Sequence, residues 1–268
     1  MQLPNRRLYH RIEWNVELLT ETPMYIGGRK EKNRESLENK EGSTLNKSLT
    51  TSDQSFFIIP GSSLRGVCRS FAYYVLMEVL NNSEQCEEIL NDLFGYVSSD
   101  QKQSAKKGRI WFADAYIQRT KQTKVGKHIT PIDRFQQSPI CPLRFESIAP
   151  NQRICVRFTI ENAKIIHLGI IALFLRELKR GQITFGGNTS RGFGYVKLRN
   201  IHTIISVYDT DGDYVKTIDN VNVPIHKNWQ KRDELIFTVW ESNDLDEGIE
   251  WLKQGVESIR MLSEKVIK

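Results

Sequence analysis

The sequence has few cysteines, and none of them lies close to another. Cys68, Cys86, Cys141 and Cys155 are widely spaced and form no C-x-x-C pair. This spacing argues against a zinc site and against a disulfide framework. The four residues fit reduced thiols in a cytoplasmic protein.

Long apolar segments and an excess of acid are also missing. No run approaches the roughly 18 apolar residues of a membrane span, and the N-terminal stretch MQLPNRR lacks the apolar core of a signal peptide. We therefore expect an intracellular, soluble protein with no membrane partner. The chain has 38 Lys and Arg against 32 Asp and Glu, a net charge of +6, which favours a polyanionic partner.

Glycine and small polar residues are concentrated in one stretch, which reads FGGNTSRGFG at 185–194. Glycine allows the backbone to approach another molecule closely, and consecutive amides in such a loop can bind an anion. The stretch matches neither glycine-rich nucleotide motif. It is either a plain turn or a phosphate contact, and the candidate contacts are Gly186, Gly187, Asn188, Thr189, Ser190 and Arg191, whose guanidinium suits phosphate.

A second stretch, FFIIPGSSLRG at 56–66, places a short apolar strand before a Pro-Gly turn. Apolar residues then recur at helical spacing, which predicts an amphipathic helix over 63–80 with these residues inward: Leu64, Val67, Phe71, Tyr74, Val75 and Val79. Ser62 or Ser63 can cap this helix.

The start of that helix is a natural phosphate site, because its amide groups are free and the helix dipole is positive there. Arg65 and Arg69 lie in the first turns, where the dipole disfavours cations. A bound phosphate would offset this cost, whereas a well-capped helix without a ligand is the alternative. The candidate phosphate contacts are Gly61, Ser62, Ser63, Arg65 and Arg69.

Residues 118–139 combine basic and apolar side chains. This composition predicts a hairpin that leaves the core and lies on a nucleic acid, with Lys127 and Arg134 among its contacts. A solvated, lysine-rich loop is the alternative. Residues 29–55 hold almost no apolar side chains and are expected to form a second inserted loop.

The order of elements predicts an α+β fold. Strands at 11–20, 109–117, 143–148, 152–160 and 195–205 alternate with helices at 63–80, 84–94 and 164–180. Taken coarsely, this is the ferredoxin-like (RRM-type) pattern, an antiparallel sheet with helices on one face. We expect residues 1–206 to form this domain. Residues 207–268 form a partly helical C-terminal extension, which either packs on the same domain or serves as a docking face.

Two of these motifs resemble the RAMP superfamily of CRISPR proteins, most closely the backbone subunit of type III effector complexes. They are IPGSSLRG at 59–66, at a helix start, and FGGNTSRGFG at 185–194, after the second core helix. In addition, GRIWFADA at 108–115 is similar to the family's central strand. The stretches TPIDR at 130–134 and LRFE at 143–146 are similar to its thumb hairpin and the strand that follows.

The resemblance implies an RNA-binding subunit. Copies or paralogues would stack along a guide RNA (crRNA), whose phosphates the first helix and the glycine-rich loop would hold. The thumb hairpin would insert into the guide–target duplex. The implied partners are crRNA, target RNA, adjacent RAMP subunits and other CRISPR effector subunits. Substitution of Arg65 or Arg191 by alanine is then expected to weaken guide binding and its dependence on salt.

The resemblance also implies an alternative, a metal-dependent endoribonuclease that cleaves target RNA. The family's catalytic aspartate precedes an asparagine in the loop before the Pro-Gly-Ser-Ser turn, and the corresponding positions here are Leu45 and Asn46. Leucine can neither position Mg²⁺ nor accept a proton. Asp53 and Glu41 are the nearest acids, and either could take the catalytic role only if the loop is rearranged.

A third reading is a guide-processing nuclease that uses histidine. The sequence offers no clear acid–base pair for it, because the histidines are scattered: His10, His128, His167, His202 and His226. We expect each to be a surface or packed histidine. No metal site is predicted, since the acidic turn at 209–213 lacks the glutamate that completes a calcium loop.

Overall fold

A computed structural model describes residues 7–26, 56–97, 105–130, 132–138, 143–208 and 212–266. The helices are α1 Gly61–Leu80, α2 Ser83–Phe94, α3 Ile165–Lys179, α4 Leu245–Glu250 and α5 Lys253–Val266. The strands are β1 His10–Thr20, β2 Phe56–Ile59, β3 Gly95–Tyr96, β4 Lys106–Lys107, β5 Ile110–Phe112, β6 Ala115–Gln118, β7 Lys124–Ile129, β8 Leu143–Ile148, β9 Arg153–Glu161, β10 Val196–Val207, β11 Tyr214–Lys216, β12 Asn222–Pro224, β13 Gln230–Asp233 and β14 Thr238–Ser242. None of the helices in these ranges is long and apolar enough to span a bilayer.

The main sheet has six antiparallel strands in the order β13-β14-β10-β1-β9-β5. Side chains of β1 alternate between its two faces, as period-2 patterning requires. The even-numbered ones, such as Ile12, Trp14 and Val16, are buried, and the odd-numbered ones are partly or fully exposed. The sheet therefore has one face in the core and one open face, as expected for a mixed α/β fold with an antiparallel sheet.

The helices α1, α3 and α5 cover the buried face and pack on one another. The rings of Phe71 on α1 and Phe174 on α3 lie 5.6 Å apart. Most residues of α3 are buried, because helices lie on more than one of its sides. Between α3 and α5 the backbones touch at Gly169 and Gly255, where a Cβ on either residue would collide with the other helix.

The structure corrects several details of the prediction. The buried stripe of α1 consists of Leu64, Cys68, Ala72, Leu76 and Leu80, a strict four-residue repeat. Tyr74, predicted inward, is 73 % exposed, because it lies outside that stripe.

The predicted strand 109–117 is broken after Phe112. Its second half, β6, turns away from the main sheet and pairs with β2. The predicted strand 143–148 is also outside the main sheet, since β8 pairs with β7 as the return strand of the inserted hairpin.

The C-terminal residues are part of the same packed unit. Strands β13 and β14 extend the main sheet beyond β10, and α5 lies against α3. Of the two expectations for this region, packing on the domain is the one observed.

Candidate nucleic-acid interface

Register in the main sheet brings several connections to one end. Thr20 at the end of β1 pairs with Val196 at the start of β10, and Leu19 pairs with Arg153 at the start of β9. The chain that leaves β1 and the chains that enter β9 and β10 therefore meet at the same end of the sheet. We call this end, with the start of α1, the β7–β8 hairpin and the loop 185–194, the loop edge.

The start of α1 is held by a residue from a distant strand connection. The backbone N–H of Gly61 donates to Oδ1 of Asp114 at 2.6 Å, while the N–H groups of Ser63 and Leu64 donate to the carbonyl of Pro60. Pro60 occupies the N-cap position and has no side-chain acceptor, so the carboxylate of Asp114 supplies one.

The predicted cap by Ser62 or Ser63 is therefore wrong, since no side chain of the helix itself caps it. Both serines lie in the first turn with exposed side chains. Of the first-turn amides in the described chain, only that of Ser62 has no acceptor.

Arg65 and Arg69 have partners within the protein. Arg65 donates to the carbonyl oxygen of Phe94, and its guanidinium lies 6.0 Å from the Phe94 ring centroid. Arg69 forms an ion pair of 2.9 Å with Glu87 on α2. These contacts account for both arginines as links between α1 and α2, so an anion is not needed to explain them.

The β7–β8 hairpin carries its charged residues in two groups. Near its base, Arg119 and Lys124 both pair with Glu146, Arg119 at 3.3 Å. Further out, Lys127 and Arg134 are exposed, and Nζ of Lys127 lies 5.5 Å from the ring centroid of Phe193. The hairpin therefore touches the loop 185–194 through this cation–π contact.

The tip of the hairpin is held by local hydrogen bonds and exposes apolar side chains. The backbone N–H groups of Phe135 and Gln136 donate to Oδ1 of Asp133, and these bonds lower the pKa of Asp133 below its usual value. Phe135 is 98 % exposed and Ile132 is 68 % exposed.

The loop 185–194 is anchored at both ends to the segment that follows β1. The N–H of Gly187 donates to the carbonyl of Tyr25, and that of Gly194 donates to the carbonyl of Pro23, each at 2.8 Å. Gly194 has a positive φ of 82°, and a Cβ there would collide with the carbonyl of Phe185. The loop is therefore tightly packed at its base.

Its outer part presents polar groups. Thr189–Arg191 form a short 3-10 turn with exposed side chains. The only partner of the Arg191 guanidinium in the described chain is Oδ1 of Asn188, at 3.3 Å. The Nδ2 group of Asn188 is enclosed and has no acceptor within the described residues.

A continuous set of contacts joins the three predicted elements. The strand before Pro60 pairs with β6, and Arg119 at the end of β6 lies 5.3 Å from the ring centroid of Phe57. Arg119 then reaches the hairpin through Glu146, and Lys127 reaches the loop 185–194.

The predicted nuclease residues Glu41 and Asp53, like Leu45, lie outside the described residues. Within the ranges that the structure describes, no three His, Cys, Asp or Glu side chains are grouped to hold a metal. His10 and His167 are packed: Nε2 of His10 accepts from the N–H of Ala163 at 2.7 Å, and Nδ1 of His167 accepts from that of Lys164 at 3.2 Å. Burial lowers the pKa of His10 to about 4 and that of His167 to about 3.

Comparison with known proteins finds one matching family model and solved structures with a similar fold. The family model described as the RAMP superfamily matches residues 17–197. No curated protein matches the chain. Among solved structures, a chain of a type IV-B CRISPR complex is similar with a TM-score of 0.52 and 14% identity, over 70% of this chain and 89% of that one.

A chain in the cryo-EM structure of the type III-B Cmr-β complex bound to cognate target RNA is also similar. Its TM-score is 0.49 and its identity 22%, over 73% of this chain and 61% of that one. The present chain thus spans less than two thirds of that relative's length. At such identities the likeness concerns the fold alone.

Proposed function

This chain belongs to the RAMP superfamily, and from that premise we propose that it is an RNA-binding subunit of a CRISPR ribonucleoprotein that holds the guide RNA at its loop edge. Most contacts would go to phosphate and sugar and would be independent of sequence. Base pairing between guide and target would supply the specificity.

The observation that carries this proposal is that three separate elements meet at one end of the sheet. The start of α1, the basic hairpin and the loop 185–194 are far apart in sequence, yet pairing and side-chain contacts join them into one surface. A surface built from a glycine-rich loop and cationic side chains suits a sugar–phosphate chain.

In the loop 185–194, the groups suited to phosphate are the guanidinium of Arg191 and the exposed hydroxyl groups of Thr189 and Ser190. At the start of α1, Asp114 already accepts from the first amide. A phosphate there would use the amide of Ser62 and the hydroxyl groups of Ser62 and Ser63. Arg65 and Arg69 would hold this turn in place through their contacts with Phe94 and Glu87 on α2.

The hairpin suits a duplex as well as a single strand. Lys127 and Arg134 can track phosphates, and the exposed Phe135 and Ile132 at the tip can pack against bases. This arrangement supports the thumb role that the family resemblance implies.

We interpret the core of the domain as ferredoxin-like. Two observations support this interpretation: β10, β1, β9 and β5 are neighbours in that order, and α1 and α3 connect β1 to β5 and β9 to β10. These are the two interleaved strand–helix–strand units of the ferredoxin-like pattern.

The complex that we propose is a type III effector, in which adjacent RAMP subunits and other CRISPR subunits are the protein partners. The chain of a type IV-B CRISPR complex that shares this fold supports an effector context. Target RNA would pair with the guide along this surface.

Fluorescence anisotropy with a labelled single-stranded RNA, repeated over a range of salt concentrations, tests the proposal. Each phosphate contact contributes about 0.7 to the slope of log affinity against log salt for a single strand. We expect Arg191→Ala to weaken binding and to reduce the slope by about 0.7. Lys127→Ala should act similarly, since both side chains lie at the loop edge.

Arg232→Ala is the matched control, because Arg232 is an exposed arginine on β13, away from the loop edge. It should leave affinity and slope unchanged. RNA binding that is equally strong in all three variants would contradict the proposal, as would a wild-type protein that binds no RNA.

A further inference from the structure

The open face of the main sheet is divided by charge. Toward the loop edge its side chains include four cations, Arg153, Arg157, Lys197 and Arg199, and a single acid, Glu17. The rows of this face that are further from the loop edge hold more acids than cations. There, Glu13, Glu161 and Glu241 accompany Arg11 and Arg232.

The cations of the two halves differ in their partners. In the distant half, Arg11 lies 3.9 Å from Glu13, and Arg232 lies 3.4 Å from Glu241. In the half near the loop edge, Arg153 lies 3.6 Å from Glu17. Arg157, Lys197 and Arg199 form no ion pair with any described residue.

A β-bulge adds to this concentration of charge. The register of β1 and β10 shifts at Glu17/Leu18, so that Glu17 pairs with Asn200 and Leu18 with Leu198. Arg199 is the extra residue and is exposed together with Asn200. A bulge reorients a side chain and commonly lies near a functional site, and here it places one more cation on the open face.

The basic half is continuous with the loop edge. Lys197 is three residues from Gly194, and Arg153 starts the strand that follows the hairpin. A strand rises about 3.3 Å per residue, so Lys197 lies about 10 Å along the chain from the end of the loop. The cations lie on β9 and β10, which flank β1, so they are two strand spacings, about 10 Å, apart across the face. A flexible polyanion can follow cations at these intervals.

We propose that Arg153, Arg157, Lys197 and Arg199, which we call the basic surface, bind the backbone of an RNA segment that continues past the loop edge onto the open face of the sheet. This inference rests on the proposed function and extends it by a second, sequence-independent contact. The occupant is a single strand, because its flexible backbone can follow cations that are distributed over separate strands of the sheet. The acidic half would repel the strand and set the limit of its path.

Salt-dependent anisotropy with a uridine oligonucleotide of about 16 nucleotides, the upper end of single-strand footprints, tests the inference. The variant is Arg157→Gln, Lys197→Gln and Arg199→Gln together. Three lost phosphate contacts should reduce the slope by about 2. All three side chains lie at the surface, so circular dichroism should show an unchanged fold.

The matched control is the double variant Arg11→Gln and Arg232→Gln, which removes cations from the same face in its acidic half. It should not reduce RNA affinity. If the wild type binds RNA and Arg191→Ala weakens it, but the triple variant equals the wild type, the basic surface is excluded while the proposed function stands. If the wild type binds no RNA, the proposed function itself fails.

A crosslink gives an independent readout of position. Cys155 is a free, exposed cysteine on the open face between Arg153 and Arg157, whereas Cys68 and Cys86 are buried. With Cys141 replaced by serine, a photoreactive benzophenone can be attached at Cys155. We expect an RNA adduct with the same oligonucleotide, which excess unlabelled RNA suppresses. In the assembled complex, an adduct with protein but none with RNA would overturn the inference and indicate a protein interface.

Discussion

The two ends of the main sheet are both rich in charge, but they use it differently. Opposite the loop edge, near the start of α3, Asp92 is buried and is surrounded by Lys106 at 2.8 Å, Lys164 at 3.0 Å and Arg109 at 3.1 Å. At the loop edge and on the basic surface, several cations have no acidic partner in the described chain. The first arrangement holds the fold together, and the second leaves charge available for another molecule.

The chemistry of Asp92 illustrates the first arrangement. Burial alone would raise the pKa of its carboxyl, but hydrogen bonds from Lys106, Arg109 and Lys164 lower it more, so the pKa lies well below its ordinary value. The same cluster includes His167, whose Nε2 is 3.6 Å from the carboxylate. The buried end therefore depends on one negative charge.

The largest effect on stability is expected at that charge. Asp92→Asn leaves Arg109, which is mostly buried, and two lysines without their anion. Loss of one partner of a buried ion pair costs about 3 kcal/mol or more, and urea unfolding should show this loss.

Asp213→Asn is the control, since its pair with Lys231 is exposed. An exposed pair contributes less than about 1 kcal/mol. Equal losses in the two variants would show that the comparison between buried and exposed charge is wrong.

The next-largest effect on stability is expected when the pH is lowered, through the two buried histidines. Both buried histidines have a pKa below the ordinary value of about 6.5, so between that pH and their own pKa the unfolded chain binds protons that the folded chain does not. Stability is then complete above about pH 6.5 and falls as the pH is lowered toward 4, by about 1.4 kcal/mol per pH unit for each histidine.

Thermal unfolding over this pH range measures the effect. His10→Gln removes one titrating group and should flatten the dependence of the melting temperature on pH. A profile as steep as that of the wild type would contradict the assignment of His10 as a neutral, buried acceptor.

A matched pair of glycines tests how rigid the loop edge is. Gly194 and Gly192 both have positive φ, 82° and 79°, but only a Cβ at Gly194 would meet another group. Gly192→Ala should cost about 1 kcal/mol for its backbone conformation alone, and Gly194→Ala about 2 to 3 kcal/mol. Chemical unfolding compares them directly, and equal costs would argue against the packed base of the loop.

The smallest effect on stability is expected at the hairpin tip. Phe135 is almost fully exposed, so Phe135→Ala should change the free energy of unfolding by less than about 0.5 kcal/mol. The same change should weaken RNA binding about tenfold if the ring stacks on a base. Tyr74→Ala removes an exposed aromatic residue from α1 and serves as the control, since it should affect neither property.

Much of the fold was predictable because its periodicity is strong. The alternation of Ile154, Val156, Phe158 and Ile160 predicts β9. The helix predicted over 164–180 corresponds to α3, which is followed by Gly181 with a φ of 71°. Strand β8, the return strand of the hairpin, was predicted as a strand of the main sheet. Local alternation is the same in a core strand and in an inserted one. Register with a distant partner cannot be read from a single strand.

The candidate site was predicted in part. The segments of the site were identified from composition, but the directions in which their side chains point could not be predicted. Arg65 and Arg69 were predicted to be phosphate contacts, because the helix dipole disfavours cations in a first turn. The sequence does not show that α2 lies beside these two arginines. The bond of Asp114 to Gly61 spans 53 positions and could be found only in three dimensions.

The contact between α3 and α5 has a consequence for synthesis of the chain. Helix α3 is apolar on much of its circumference, and one of its sides is covered by residues 253–266. During translation this side remains uncovered for the time needed to make about 75 more residues, a few seconds to about 15 s at the usual rates. Until those residues are made, the nascent chain therefore exposes an apolar side of α3, and we expect the yield of folded protein to depend on how quickly they follow.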